Sequence, residues 1–407
     1  MNVAQLAVKA VEGSVSAPAG FRAAGIACGI KKTGALDLAV IVSDTPAAAA
    51  AVFTTNKAQA APVVVSKARL AASGGRARVV AINSGCANAC TGPDGHATAE
   101  AMADAAAGAA GAAPEQALIA STGVIGVALE RDRVVDGLKS AKAALSRDGG
   151  PAAARAIMTT DPFPKEAAVE VTTAAGTFRV GGIAKGSGMI EPLMATMLAV
   201  VTTDAGVEPA LLQRALASVT DVTFNAITVD GECSTNDCVF ALANGASGVA
   251  IGEADFHLLV EALRGVCEPL AVGIVRGGEG ATKLVTVEVT GGRSASEAKQ
   301  AARAIANSPL VKTAVHGADP NWGRLIAVAG RAGVGFELER ARVRIGDVEL
   351  FAAGRPYDER AALASTHLQG TDVRLHVDLG TGGPGAARMW TCDLSADYVR
   401  INAEYRT

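Results

Sequence analysis

The sequence alternates short apolar runs with glycine-rich and polar turns over most of its length. Residues 36 to 43, 77 to 83 and 197 to 201 are apolar runs too short for a typical buried helix, and each predicts a buried strand. Alanine-rich composition, or apolar positions at helical spacing, predicts helices at 96 to 110, 132 to 146, 151 to 158, 209 to 219, 254 to 266 and 296 to 307. Strands and helices are therefore both expected along the chain.

The second half of the chain adds shorter elements. Residues 227 to 229 predict a strand that leads into a polar turn, and residues 316 to 324 are rich in turn-forming residues. Further short strands are predicted at 343 to 346 and 373 to 378. The alternation of apolar and polar residues from 397 to 407 predicts a last strand.

One stretch near the middle, residues 185 to 198, concentrates candidate chemistry. Gly186 and Gly188 disfavour a regular helix or a central strand because fixing a glycine costs the most backbone entropy, so a loop is predicted. Pro192 then favours an extended or turned chain ahead of Thr196. A small hydroxyl residue therefore stands where a glycine-rich loop enters the core.

Thr196 has two interpretations. A threonine hydroxyl becomes an effective nucleophile when a base removes its proton, and cleavage of the preceding peptide bond would supply that base as the free amine of the same residue. Alternatively, Thr196 is simply a β-branched residue at the start of the following strand. Both interpretations are compatible with the local pattern.

Two earlier segments also contain candidate binding groups. The segment from Asn83 to Gly92 continues a strand as a loop of small polar residues, which suits ligand binding but equally suits Asx turns and a helix cap. In the segment from Ser121 to Gly126, Gly123 and Gly126 can turn backbone amides outward, as donors to an oxyanion require. Thr-Gly pairs also occur in ordinary turns.

Acidic residues in the second half raise two further possibilities. Glu279, in the glycine-rich stretch 276 to 283, could pair with a substrate ammonium in a closed pocket or lie in a solvated turn. Asp230, Glu232 and Asp237 could form a metal site, but no histidine is near in sequence and the spacing of a calcium loop is absent. We therefore interpret the latter stretch as a solvated or hydrogen-bonded turn and expect no metal.

Composition narrows the class of protein. The 407 residues suffice for a large core and two or more lobes, and with only 3% aromatic residues the core must be aliphatic. A formal net charge of -3 offers no basic surface, so no nucleic-acid partner is expected. Seven cysteines without a Cys-x-x-Cys pair favour a reducing compartment. We expect no secretory signal and no membrane span, because no apolar run reaches about 18 residues.

Taken together, these stretches resemble the ornithine acetyltransferase family, the bifunctional glutamate N-acetyltransferases of arginine biosynthesis. The resemblance covers nearly the whole chain, with its motifs in family order at residues 83 to 92, 121 to 126, 185 to 198, 227 to 237, 278 to 283, 319 to 324 and 402 to 407. Glu191 and Leu193 depart from the commonest form of the central motif. The pair Ala195 and Thr196 is intact.

The resemblance implies an α/β, two-lobed fold of the self-processing, N-terminal-threonine acyltransferase type. It implies cleavage between Ala195 and Thr196, which gives an N-terminal (alpha) chain of residues 1–195 and a C-terminal (beta) chain of residues 196–407. Thr196 would then be the catalytic nucleophile, and Thr122 and Gly123 would supply the oxyanion hole.

The same resemblance implies a set of substrate-binding residues, which are Thr159 or Thr160, Lys185, Thr196, Glu279, Asn402 and Thr407. By charge, Glu279 suits the side-chain ammonium of ornithine, and Lys185 suits a carboxylate. The resemblance implies no cofactor and no metal.

The expected activity is transfer of the acetyl group from N2-acetylornithine to glutamate through an acetyl-threonine intermediate, with ping-pong kinetics. Acetyl-CoA stays open as a second donor. The resemblance also implies a heterotetramer of two alpha and two beta chains, and the cysteine usage favours the cytoplasm. Two rival functions stay open: an N-terminal-threonine amidohydrolase or aminopeptidase that passes the acyl group to water, and a noncatalytic small-molecule-binding protein that does not cut itself.

Overall fold

The computed structural model describes residues 7–191 and 197–404. The chain divides into two compact units. Unit 1 comprises the described residues of 1–225 and 232–274, and unit 2 comprises those of 226–231 and 275–406. The expected α/β class and the expected two lobes are confirmed.

Unit 1 contains most of the strands. They are β1 (Ala7–Val11), β2 (Phe21–Ile26), β3 (Leu38–Phe53), β4 (Arg76–Cys86), β5 (Ala117–Val124), β6 (Lys165–Thr173), β7 (Gly176–Lys185), β8 (Leu198–Thr203), β9 (Gly206–Val207), β10 (Cys238–Ala243) and β11 (Ala250–Ile251). Its helices are α1 (Ala61–Ala72), α2 (Gly92–Ala110), α3 (Arg131–Ala144), α4 (Gly150–Ala156), α5 (Pro209–Val222) and α6 (Phe256–Arg276), and the last two residues of α6 belong to unit 2.

In the described part of unit 1, nine strands form one mixed sheet in the order β1-β6-β7-β8-β10-β3-β4-β5, with β2 paired to β3. Both faces of β4 are buried. Successive side chains of a strand point to opposite faces, so neighbouring residues of β4 join different apolar clusters. Val80 and Ile82 join one apolar cluster, which includes Ala153 of α4, whereas Val79 joins another, which includes Met102 of α2. The apolar run that predicted this strand is thus covered on both faces.

Unit 2 is built on a second sheet. Its strands are β12 (Leu284–Gly292), β13 (Arg342–Ile345), β14 (Val348–Ala352), β15 (Arg355–Pro356), β16 (Asp372–Asp378) and β17 (Gly385–Cys392), in the order β15-β14-β13-β16-β12-β17. Its helices are α7 (Ala295–Ala306), α8 (Pro309–His316), α9 (Trp322–Gly330), α10 (Ala361–Leu368) and α11 (Ala396–Glu404). Aliphatic residues from the strands and from α7, α8 and α9 form one core.

The predicted last strand is wrong, because residues 396–404 form the helix α11. A helix places residues four apart on the same face. The side chain of Tyr398 donates to Asp230, and that of Asn402 donates to Glu279. These two polar contacts explain why the alternating pattern does not produce a strand here.

Three other predictions need correction. The strand expected at 227 to 229 is reduced to one bridge between Ile227 and Trp390. The helix expected to end near residue 266 runs on to Arg276 with Pro269 inside it. The turn-rich stretch ends earlier than expected, because the side chain of Asn321 caps α9 by accepting from the backbone N–H of Arg324 at 3.3 Å.

The central stretch connects two paired strands. β7 and β8 are antiparallel neighbours from Val180 opposite Thr203 to Lys185 opposite Leu198. Gly186 to Ile190 form neither helix nor strand, as predicted. Ala195 and Thr196 lie outside the described residues, and β8 begins two residues after Thr196 in the sequence.

Among the helices of residues 7–191 and 197–404, we find none with the length and apolar character that crossing a bilayer requires.

Candidate active site

Thr122 and Gly123 lie near the end of β5, where its parallel pairing with β4 becomes irregular at Gly85 and Cys86. Gly123 has a φ of 129°, a backbone conformation that residues with a Cβ rarely adopt. A Cβ at this position would lie 2.4 Å from the carbonyl carbon of Gly85. Glycine is therefore required at position 123 by conformation and by the close approach of β4.

Lys185 contacts Thr122. It is the last residue of β7, whereas the glycine-rich pattern placed it in the loop. The residue is only 8% exposed, and its Nζ donates to Oγ1 of Thr122 at 3.2 Å. The structure thus brings together two of the predicted site residues, which are 63 positions apart in the sequence.

Asp161 organises the polar groups around the end of β7. Its Oδ1 accepts from Nζ of Lys165 at 2.5 Å and from the backbone N–H of Gly186 at 2.8 Å. Burial disfavours its charged form, but the positive charges of Lys185 and Lys165 outweigh burial and lower the pKa of the carboxyl to about 2. Asp161 is therefore a buried carboxylate that holds the first residue of the central loop.

Two further lysines belong to this cluster. The side chains of Lys165 and Asp161 are 2% and 0% exposed, and burial lowers the pKa of Lys165 in spite of its partner. Nζ of Lys31 donates to the carbonyl oxygens of Leu36 and Met158 at 2.8 and 2.7 Å, and burial also lowers its pKa. Lys31 thereby anchors the chain immediately before the predicted Thr159-Thr160 pair.

Thr159 and Thr160 follow α4 in a bend and are half-buried. The backbone N–H of Thr159 donates to Oδ2 of Asp161 at 3.0 Å. The same carboxylate therefore holds the predicted threonine pair on one side and the residue after Lys185 on the other.

Unit 2 contains two more of the predicted residues. Glu279 lies in the loop between α6 and β12 and is 7% exposed, and Nδ2 of Asn402 in α11 donates to its Oε2 at 2.9 Å. Gly280 approaches α11 so closely that a Cβ there would lie 2.4 Å from the backbone nitrogen of Tyr398. Thr407 lies outside the described residues.

The acidic turn considered as a metal site does not form one in the described residues. No group of three or more His, Cys, Asp or Glu side chains there is arranged to hold a metal ion. Asp230 accepts from the hydroxyl of Tyr398 at 3.2 Å. Burial raises the pKa of Asp237 well above its ordinary value.

Comparison with known proteins identifies the family. A model of the ArgJ family matches residues 22–407. The chain belongs to the ArgJ family. It is 50% identical to the arginine biosynthesis bifunctional protein ArgJ of Synechococcus sp., with 99% of this chain and 100% of that protein covered. It is 49% identical to the ArgJ protein of Symbiobacterium thermophilum, with 97% and 99% covered.

One solved structure is also similar in sequence over part of the chain. The ornithine acetyltransferase of Mycobacterium tuberculosis, solved in complex with ornithine, is 42% identical, covers 46% of this chain and 100% of its own, and aligns with a TM-score of 0.43. The family model and the full-length relatives confirm the family expected from the sequence motifs.

The sequence motifs did not single out the cluster behind Lys185. Asp161 and Lys165 are four residues apart, but prolines at 162 and 164 exclude a helical ion pair, so spacing gave no reason to pair them. Lys31 is still further away in the sequence.

Proposed function

We propose that this ArgJ-family chain transfers the acetyl group of N2-acetylornithine to glutamate through an acetyl-threonine on Thr196. The match of the family over residues 22–407, with full-length relatives at 50% identity, carries the proposal. Those relatives are bifunctional proteins of arginine biosynthesis, which confirms the expected acetyltransferase and leaves the hydrolase and the noncatalytic binder without support.

The proposed reaction has two halves. After cleavage between Ala195 and Thr196, the free amine of Thr196 accepts the hydroxyl proton while Oγ1 attacks the acetyl carbon of N2-acetylornithine. The C–N bond of the amide breaks, and the α-nitrogen of ornithine leaves with the proton. The α-amine of glutamate then attacks the acetyl-threonine, which yields N-acetylglutamate and returns the hydroxyl of Thr196.

Thr122 and Gly123 are the proposed donors to the oxyanion of both tetrahedral intermediates. The strict requirement for glycine at 123 supports this role, because a fixed backbone donor stabilises developing charge without reorganising. Lys185 contacts Thr122 and is proposed to bind a substrate carboxylate. Thr159 or Thr160, held at the same cluster by Asp161, is proposed to contact substrate nearby.

In unit 2, Glu279 is proposed to bind the side-chain ammonium of ornithine, with Asn402 and Thr407 as further substrate-binding residues. The buried position of Glu279 supports this role, because a buried carboxylate favours a cationic partner. Nδ2 of Asn402 donates to Glu279 and orients it.

The active protein is proposed to consist of an alpha chain (1–195) and a beta chain (196–407), assembled as a cytoplasmic heterotetramer of two alpha and two beta chains. The pairing of β7 with β8 supports lasting association of the two chains, because these neighbours in one sheet lie on opposite sides of the cleavage position. Acetyl-CoA stays open as a second acetyl donor, and no cofactor is proposed.

The function is tested by incubating the purified protein with N2-acetylornithine, with and without glutamate. Ornithine release that requires glutamate is the expected result, and release that ignores glutamate would favour the amidohydrolase. A denaturing gel tests processing, because a single band at 40.7 kDa would favour the noncatalytic protein.

A further inference from the structure

Asn236 joins three segments of unit 1 through one buried amide. The residue is 5% exposed and immediately precedes Asp237 and β10. Its Nδ2 donates to the carbonyl oxygen of Ser121 at 2.8 Å and to that of Ala87 at 2.6 Å. Its Oδ1 accepts from Oγ1 of Thr235 at 2.6 Å. Two carbonyl partners can only accept, which fixes the orientation of the amide.

These bonds hold the backbone on both sides of the proposed oxyanion donors, Thr122 and Gly123. Ser121 precedes Thr122 in β5, so its carbonyl belongs to the peptide group that supplies the N–H of Thr122. Ala87 donates its own N–H to the carbonyl oxygen of Val124, the residue after Gly123, at 3.0 Å. One side chain therefore holds the backbone immediately before the donor pair and, through Ala87, the backbone immediately after it.

The pair needs such support because regular strand pairing fails here. Cys86 lies opposite both Thr122 and Val124, and such irregularities turn backbone groups out of the ladder. Gly85 and Gly123 both have positive φ values, 101° and 129°. Glycine adopts positive and negative φ values about equally readily, so neighbouring groups must select the conformation that it keeps here.

A second buried amide supports the same strand. Oδ1 of Asn83 accepts from Oγ of Ser121 at 2.5 Å, and its Nδ2 donates to the carbonyl oxygen of Cys86 at 2.9 Å. Asn83 therefore holds the side chain of Ser121, whereas Asn236 holds its backbone. The bond from Asn236 acts directly on the peptide group that contains the N–H of Thr122.

Asn236 also lies beside the strand that follows the nucleophile in the sequence. β10 is parallel to β8, with Cys238 opposite Leu198. The N–H of Cys238 donates to the carbonyl oxygen of Met197, the residue after Thr196 in the sequence, at 3.1 Å. The segment that carries Asn236 is therefore bonded to the strand that begins beyond the nucleophile and to the strand that carries the oxyanion donors.

We propose that Asn236 is a positioning residue of the acetyl transfer, whose side-chain amide fixes the backbone of Thr122 and Gly123 in register with the strand of the nucleophile. The proposal rests on the proposed oxyanion role of that pair. Asn236 itself contacts neither substrate nor the reacting atoms in this scheme.

The test is the N236D variant, which keeps the shape of the side chain and removes both N–H donors. The kcat and KM for N2-acetylornithine are measured at saturating glutamate and normalised to the cleaved fraction on a denaturing gel. We expect kcat to fall about 100-fold, as for an oxyanion donor lost or misplaced, while KM changes less than about twofold. Asn244 is the matched control, because it follows the other end of β10 and donates to the carbonyl oxygen of Ala19, so N244D should leave both constants unchanged.

A double variant separates positioning from general destabilisation. If Asn236 acts through the backbone of Thr122 and Gly123, the N236D/G123A protein should lose little more kcat than the worse single variant, because both changes displace the same backbone donors. The proposal would be overturned if the two substitutions lowered kcat by the product of their separate effects. It would also be overturned if the kcat of N236D stayed within about threefold of wild type, or if kcat and KM changed in parallel. If N236D does not fold, N236S, which keeps a single donor, is judged by the same criteria. Absence of glutamate-dependent exchange in the wild-type protein would instead refute the proposed function.

Discussion

The D161N variant tests the charge cluster behind Lys185. The substitution keeps the size of the side chain but replaces a carboxylate that accepts from the ammonium of Lys165 and from the backbone N–H groups of Gly186 and Thr159. The new NH2 group cannot accept hydrogen bonds, and the buried charge of Lys165 loses its counter-ion. Both effects destabilise unit 1.

The expected loss is about 3 kcal/mol of unfolding free energy. Removing one partner of a buried ion pair costs about 3–5 kcal/mol because it leaves an uncompensated charge. The pKa of Asp161, about 2 against an ordinary 3.8, corresponds to about 2 kcal/mol of stabilisation by ionisation. The two values bracket the expectation, and the second is smaller because it counts only the proton equilibrium.

The same pKa gives the pH dependence its sign. The carboxyl of Asp161 has a lower pKa when folded than when unfolded, so its stabilisation is complete above about pH 5 and is lost as the pH falls towards 2. The difference in unfolding free energy between wild type and D161N should therefore shrink over that interval. A difference that stays constant from pH 5 to pH 2.5 would contradict the assigned charge state.

Urea denaturation followed by circular dichroism provides the measurement. Tryptophan fluorescence is unsuitable, because both tryptophans, Trp322 and Trp390, belong to unit 2. The matched control is D136N, which breaks an ion pair to Lys139 whose side chains are 71% and 68% exposed and which should cost less than about 0.5 kcal/mol. If D161N is as stable as D136N, the cluster does not depend on its carboxylate.

Three further predictions concern the site. G123A should lower kcat at least about 100-fold, as for the loss of an oxyanion donor, because the new Cβ would clash with Gly85. The control is G108A in helix α2, whose new Cβ meets nothing within 4 Å and which should keep full activity in the same assay. E279Q should weaken ornithine binding about 30-fold or more in calorimetry, because a buried charge pair is lost. The cleaved alpha and beta chains should co-elute in size-exclusion chromatography at neutral pH without denaturant, because β7 pairs with β8.

Each of these predictions has a contradicting result. Equal activity of G123A and G108A would remove Gly123 from the oxyanion hole. An unchanged ornithine affinity in E279Q would count against the ammonium site. Separate elution of the two chains would show that strand pairing across the cleavage position does not hold them together.

Much of the fold could be predicted from short apolar runs and from the glycine-rich turns that separate them. The strand predicted at 77 to 83 lies within β4, because an apolar run covered on both faces leaves a clear local pattern. The strand predicted for the C-terminal segment was wrong, because α11 is stabilised by contacts of Tyr398 and Asn402 with residues far away in the sequence. Local alternation carries no information about such partners.

The candidate site was predictable only where its motifs are local. The glycine at 123 is explained by its own φ and by the neighbouring strand, and its pattern was visible in the sequence. The contact of Lys185 with Thr122 joins two segments that no spacing rule connects. Asn236 gave no signal by itself, because its role depends on carbonyl groups of Ser121 and Ala87, which the sequence does not distinguish from any others.

The central claim is that Thr196 becomes a nucleophile when its own amine is set free. Intact-mass spectrometry of the protein mixed with N2-acetylornithine, without glutamate, tests it most directly in wild type and T196A. We predict that wild type gives two fragments divided before Thr196, with one acetyl group on the C-terminal fragment that disappears when glutamate is added, and that T196A stays intact and unmodified. Cleavage or acetylation of T196A, or an acetyl group on any other residue of wild type, would contradict the account.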